Sequence, residues 1–268
     1  MAIQKGFLHI RGRLGDLIFY KRLNKDVVRN KASEKPQTEN SKRSARDFGT
    51  ASKYGAYIRQ VFHPLVIFYG EASLMNRLNS RLIAVLKTIP QEKAGAKKLI
   101  DGNISLLTGF EFNQATPFSK LWLKPTEFNI VDRQTIRLSL PEENLRNLVK
   151  PYAKATHIIL QAIIFNFELD GDEYEEVRVK DLSIPLNLEH FSGKALNVPL
   201  NLNGDRAVLI ALGVHYSDDS AFGGVKQIAC KIAHAIQIRD GQIVNFVEVP
   251  KEKIIPQPAP ELLDWDDL

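Results

Sequence analysis

The stretch THIILQAIIFNFEL, Thr156–Leu169, decides the class of fold. It is rich in β-branched and aromatic residues, and it belongs to a series of runs whose side-chain character changes with a period of two. TIRLSL sets Ile136, Leu138 and Leu140 against Arg137 and Ser139. ALNVPLNL, RAVLIALGVHY and QIACKIAHAIQIR are further strand candidates, and the separators DGDE, NGD, SDDSAFGG and RDGQ are turn chemistry. None of these runs combines helix length with a 3.6-residue period, although PEENLRNLVKPY allows one or two helical turns with Pro141 at the start. Residues 101–249 therefore read as an antiparallel Ig-like β-sandwich of some seven to nine strands.

Upstream the period lengthens. Residues 38–100 read as a helical hairpin, with Thr38 or Asn40 as N-cap and Ala45, Phe48, Ala51, Ile58 and Phe62 as its first apolar stripe. Pro64 should end that helix, His63-Pro64 make the turn, and a second helix run from about Leu65 to Leu86 on Leu74, Leu78, Leu82, Val85 and Leu86. Residues 1–37 read as a basic hairpin arm. In GRLGDLIFYKRLNKDVVRNK, Gly12–Lys31, two strand-like arms flank LNKD, and Gly6, Gly12 and Gly15 permit positive φ or close backbone approach. Residues 250–268 read as a Pro-rich and then acidic tail, extended or disordered until something binds it. The class is α+β, mainly β.

With 268 residues, 44% of them hydrophobic and 25% charged, the chain can bury a substantial core. Its longest apolar runs, HPLVIFYG and HIILQAIIF, fall short of the roughly 20 residues of a membrane-spanning helix. The first residues lack the apolar core and small-residue cleavage site of a signal peptide. The expectation is a chain made and used in the cytoplasm, or in an assembly formed there, without membrane insertion. Cys230, the single cysteine, sits in the alternating run with Ile228, Ile232, Ile236 and Ile238 and reads as a small core residue.

Charge is distributed unevenly. Residues 1–60 hold 14 Lys and Arg against 5 Asp and Glu, +9, which leaves −4 for 61–268 within a whole-chain +5. Arg11, Arg13, Lys21, Arg22, Lys25, Arg29 and Lys31 are interleaved with Phe19 and Tyr20. That is the composition of a surface that tracks phosphates and stacks bases, and equally of a ribbon that meets an acidic protein partner or subunit. At the other end, PELLDWDDL carries Glu261, Asp264, Asp266 and Asp267 around Leu262, Leu263, Trp265 and Leu268, a segment that would dock by apolar anchors and be oriented by charge.

Sequence patterns of catalysis are missing. There is no phosphate loop, dinucleotide fingerprint, nucleophile elbow or H-E-x-x-H, and the six histidines (His9, His63, His157, His190, His215, His234) lack metal-ligand spacing. His234 reads as a satisfied core histidine. His215 with Asp218 or Asp219 is the one loop pairing that a hydrolase or transferase would need. The acidic cluster ELDGDEYEEV does not match a calcium loop and reads as a solvated hairpin turn; Glu173 and Glu175 would place an acidic stripe there for a basic arm. The reading is a non-catalytic structural or interaction protein, without cofactor or metal. It would form a homo-oligomer or dock a protein partner through the basic ribbon and the tail; nucleic-acid binding by the arm is the alternative.

Several phrases resemble an uncharacterised, domain-of-unknown-function family common in Bacteroidota. They are the Gly-x-x-Gly start at Gly12, Lys-Asp-Val-Val-Arg at 25–29, the Thr-led basic helix from Thr38, GFEFN at 109–113 and ATH at 155–157. The resemblance spans roughly residues 12–168. It implies a shared, non-enzymatic layout and carries no binding or catalytic residue with it.

Overall fold

The structure, a computed structural model, describes residues 2–4, 10–22, 24–31, 36–152, 155–218 and 226–247. The chain is mixed α and β, with an N-terminal hairpin, then helices, then antiparallel sheets, and it divides into two compact units, Met1–Lys42 and Arg43–Leu268.

The first unit holds β1 (Ala2–Ile3), β2 (Gly12–Leu14), β3 (Leu17–Arg22) and β4 (Lys25–Asn30), an antiparallel sheet in the order β1-β4-β3-β2. Arg22 pairs with Lys25 and Leu17 with Asn30, so the hairpin turn is tighter than LNKD suggests. Asn24 sits in it at φ 63°, a left-handed conformation that Asn tolerates better than most residues. Gly15 takes φ 57° between β2 and β3 for the same steric reason. Thr38 Oγ1 accepts a hydrogen bond from the Ser41 N–H at 3.2 Å and so caps the helix that follows.

That helix is α1 (Glu39–Val61), followed by α2 (His63–Tyr69) and α3 (Leu74–Lys87). The single second helix expected over 65–86 is two. Pro64 lies in the first turn of α2, where its missing N–H costs nothing, and Gly70 turns extended (ψ 159°) to break the run. The stripe expected on α1 also buries only in its later half. Ala51 and Ile58 are interior, as is Phe62 just beyond the helix, whereas Ala45 and Phe48 are exposed. Gly55 lets α1 approach α3, because a side chain there would run into Asn79 and Leu82.

The second unit is organised by a five-stranded antiparallel sheet. Its strands are β8 (His157–Glu168), β9 (Tyr174–Pro185), β12 (Asp205–Ser217), β13 (Lys226–Arg239) and β14 (Gln242–Ile243), in the order β14-β13-β12-β8-β9. A three-stranded sheet, β11-β6-β5, is built from β5 (Glu127–Asp132), β6 (Thr135–Leu140) and β11 (Lys194–Pro199). The two-residue strands β7 (Glu143–Asn144) and β10 (His190–Phe191) pair with each other. PEENLRNLVKPY supplies one helical turn, α4 (Leu145–Leu148), which starts four residues after Pro141.

Period two explains the layering. Ile163, Phe165 and Phe167 of β8 and Ala207, Leu209 and Ala211 of β12 pack with the helices. Ile158, Leu160, Ala162 and Ile164 of β8 and Val208, Ile210, Leu212 and Val214 of β12 pack instead with Ile136, Leu138, Leu140 and Val198 of the smaller sheet. Each fully buried aliphatic side chain contributes about 1.5–3 kcal/mol, so both faces of these strands are committed to the interior. The segment 109–112, part of GFEFN, is not a strand of its own. It runs beside β13, with Gly109 N–H donating to Ile232 O at 2.8 Å and Phe112 N–H to Cys230 O at 2.7 Å.

A bulge in β13 corrects the expected face of Cys230. His234 registers with Ile210 and Ile232 with Ala211, leaving Ala233 unpaired. Cys230 and Ile232 face the helices with Ile228, whereas Ile236 and Ile238 face the second sheet. One extra residue reverses the parity of everything after it.

Candidate interaction surface

The register of the N-terminal sheet sorts its charges. Residues paired across an antiparallel ladder share a face, so Arg13, Ile18 and Arg29 form one row, Tyr20, Val27 and Ile3 the next, and Arg22 and Lys25 a third. One face thus carries an apolar and aromatic row, in which Val27 is buried, Tyr20 partly buried and Ile3 exposed, bracketed by two cationic rows: four cations and no carboxylate at those positions. Arg29 lies over the Tyr20 ring, 5.6 Å from its centroid, and the four cations are exposed.

The opposite face carries Phe19, Leu17, Val28 and the facing pair Lys21 and Asp26, and it is close to neutral. The nine arm residues named from sequence therefore do not act together. Arg13, Tyr20, Arg22, Lys25 and Arg29 share a face; Phe19 and Lys21 point the other way; Arg11 and Lys31 flank the strands, exposed. The Arg13 Nε donates to Gly15 O at 3.0 Å, which fixes its side chain along the β2–β3 turn. The tail anchors Leu262, Leu263, Trp265 and Leu268 lie outside the described residues.

In the second unit the acidic hairpin is not a uniform stripe. Glu175 pairs across the ladder with the buried Asn166 and accepts hydrogen bonds from Asn166 Nδ2 at 2.9 Å and Asn201 N–H at 3.0 Å, so it is turned inward. Glu173 meets the buried Arg206 at 3.2 Å, Asp170 meets Lys98 at 2.5 Å and Glu176 meets Arg178 at 2.5 Å. Glu168 and Asp172 have no ion-pair partner among the described residues.

His215 is engaged away from the loop that follows it. Its Nδ1 is 2.7 Å from Tyr69 Oη, Tyr69 Oη is 2.8 Å from Gln161 Oε1, and Gln161 Nε2 is 2.8 Å from Asp181 Oδ2. The tyrosine hydroxyl has one proton and Gln161 Oε1 can only accept, so Nδ1 must donate to Tyr69. Burial keeps the imidazole neutral by lowering its pKa, against the pull of Asp181, and burial raises the Tyr69 phenol. Phe68 packs its ring 5.0 Å from the imidazole. The result is a directed chain of hydrogen bonds that locks α2 onto the sheet. Asp219, the other partner considered from sequence, lies outside the described residues.

His234 accepts or donates one bond with Thr126 Oγ1 at 3.0 Å and packs against Phe128, and burial lowers its pKa. The Cys230 thiol is buried and pushed well above its ordinary pKa, the opposite of an activated nucleophile. Among the described residues no three His, Cys, Asp or Glu side chains cluster to hold a metal ion, and no helix is long and apolar enough to cross a membrane.

Sequence reading missed one site. Tyr54 and Tyr57 of α1, with Phe165, Phe167 and Tyr174 of the β8–β9 hairpin, line a cleft of about 490 Å³. The spacing of Tyr54 and Tyr57 was the available signal, but their partners lie more than a hundred residues away. No protein-family model and no curated protein matches this chain.

Proposed function

We propose that this chain is a non-catalytic interaction protein that assembles with copies of itself, the basic face of one N-terminal sheet receiving the acidic C-terminal segment of a neighbour. One observation carries the reading: register places Arg13, Arg22, Lys25 and Arg29 on one face around the Tyr20, Val27 and Ile3 row. The tail matches that pattern in reverse, with Glu261, Asp264, Asp266 and Asp267 around Leu262, Leu263, Trp265 and Leu268. Apolar anchors at the centre of an interface give affinity, and the charges around them give orientation and encounter rate. The second unit is, on this reading, an Ig-like sandwich whose chain crosses between two antiparallel sheets, and the protein works in the cytoplasm. Light scattering after gel filtration tests it. The full chain should run as a defined oligomer at low salt and shrink when residues 257–268 are removed or when Arg22 and Arg29 are both changed to Glu. A monomer at every salt concentration, or an oligomer indifferent to both changes, overturns it.

The stacking of Arg29 on Tyr20 favours a second reading, a nucleic-acid platform on the same face. It requires a raised 260/280 nm absorbance ratio that salt removes, with affinity falling in proportion to the phosphates neutralised. A protein-like ratio together with tail-dependent assembly selects the first reading.

A further inference from the structure

We infer that the cleft between α1 and the β8–β9 hairpin is a binding site for an alkylated ammonium group. Its rings form a continuous series. Tyr57 and Tyr54 meet edge to face at 6.4 Å, Tyr54 and Phe167 lie 6.1 Å apart, Phe167 stacks on Phe165 at 4.6 Å, and Phe165 meets Tyr174 edge to face at 5.9 Å. Phe165 and Phe167 are buried and form the floor, whereas Tyr57 is 42% and Tyr174 57% exposed and form the two rims. The cleft, about 490 Å³, falls in the size range of small-ligand sites.

The polar groups define the ligand's charge. Glu168, Asp172 and Glu173 line the hairpin end, and the first two have no ion-pair partner among the described residues. Gly171 makes room for this, since any side chain there would occupy the position of the Glu168 carboxylate. The rings are already used for a cation: Lys53 holds its Nζ 5.6 Å from the Tyr57 centroid. A primary ammonium is strongly hydrated and gives its N–H bonds to acceptors such as the hairpin-end carboxylates, so the ring faces add little to its hold. An alkylated ammonium has a diffuse charge and a methyl surface, so it exchanges little hydration for contact with several faces at once. The larger groove of about 920 Å³ beside Leu145, Pro151, Tyr152 and Leu188 lacks this chemistry, having among its described lining one ring, Tyr152, and one charge of each sign, Arg146 and Glu189.

The group could arrive as a free small cation or on a methylated lysine, and the test separates these sources. Calorimetric titration of the full chain would use choline, its neutral carbon isostere 3,3-dimethylbutan-1-ol, and a short peptide carrying trimethyllysine. Choline should bind saturably and about three- to thirtyfold more tightly than the isostere. Tighter binding of the peptide assigns the site to a modified protein, and tighter binding of choline assigns it to a free metabolite. Tyr57→Leu with Tyr174→Leu should remove the preference for charge. Lys53→Ala, which deletes the internal competitor and cannot disturb the core, should tighten choline about two- to fivefold. No saturable heat with choline and the peptide, equal binding of the isostere, or weaker choline binding in Lys53→Ala overturns the assignment.

Discussion

The two larger sheets of this protein are both antiparallel and both read with a period of two, yet they spend it differently. In β8 and β12 the alternate side chains serve two separate cores, helices on one side and a smaller sheet on the other, and only at the end of β8 do Phe165 and Phe167 also floor an open cleft. In β3 and β4 the alternation separates charge from neutrality, and most of the side chains remain at least partly accessible. Period two therefore identifies a strand without saying what its faces meet. Where both faces are apolar the strand is architecture; where one is basic it is a surface with an occupant to be found.

The largest effects should come from testing that contrast with truncations. Leu209→Ala removes a fully buried side chain from β12 and should cost about 2–5 kcal/mol in chemical denaturation. Ile18→Ala, half-buried in β3, should cost about 1 kcal/mol or less. Equal losses would mean that the N-terminal sheet belongs to the same cooperative core, and the contrast would fail. Gly213→Ala comes next, at about 1–3 kcal/mol, because the new Cβ would lie 2.6 Å from the Tyr69 ring and push it from His215. The cost should shrink when Tyr69→Leu is added, since the two changes share one contact.

These positions also show which parts of the fold were legible. The run from Arg206 to Tyr216 announced β12 because no charge interrupts it after Arg206, and Arg206 is held by Asn203 O and Glu173. Cys230 went to the wrong companions because parity was carried across Ala233, and a bulge leaves no mark in an apolar alternation. The second helix was extended through Gly70 since its stripe persists on both sides of the break. Strand β9, YEEVRVKDLSIP, was legible only through the hairpin turn before it, because its own charge-rich pattern is that of a sheet edge. The basic arm was visible as composition, but its division between two faces needed the register. Of the aromatic cleft only the Tyr54 and Tyr57 spacing was visible, because its walls come from a helix and a hairpin far apart in the chain.

A pH dependence should follow from the buried His215 and the half-buried His234. His215 and His234 both have folded pKa values depressed below the ordinary 6.5, in each case chiefly by burial. A depressed histidine binds its proton more readily in the unfolded chain, so the folded state loses ground as pH falls below about 6.5 and through the depressed values. The slope cannot exceed about 1.4 kcal/mol per pH unit for each histidine, and residual solvent reduces it. Denaturation midpoints measured from pH 7.5 downward should fall, and His215→Gln should flatten the curve even if it lowers the plateau. A curve of unchanged slope in that variant would remove His215 from the account.

The smallest effect is the sharpest test of the N-terminal face. Lys21 and Arg22 are adjacent, both exposed, and identical in formal charge, so composition cannot tell them apart. Register can: Lys21 faces Asp26 on the near-neutral side, and Arg22 stands beside Lys25 on the basic side. A cross-strand opposite-charge pair is worth about 0.2–1 kcal/mol, and like charges side by side cost a similar amount. Lys21→Ala should therefore lower the stability of the unit slightly and leave assembly unchanged, whereas Arg22→Ala should leave stability unchanged or raise it and weaken assembly severalfold at low salt, the difference closing as salt rises. Light scattering and denaturation on the same two proteins read both quantities. If the two substitutions weaken assembly equally, net charge rather than one face is recognised, and the sheet would be an electrostatic arm without a preferred side.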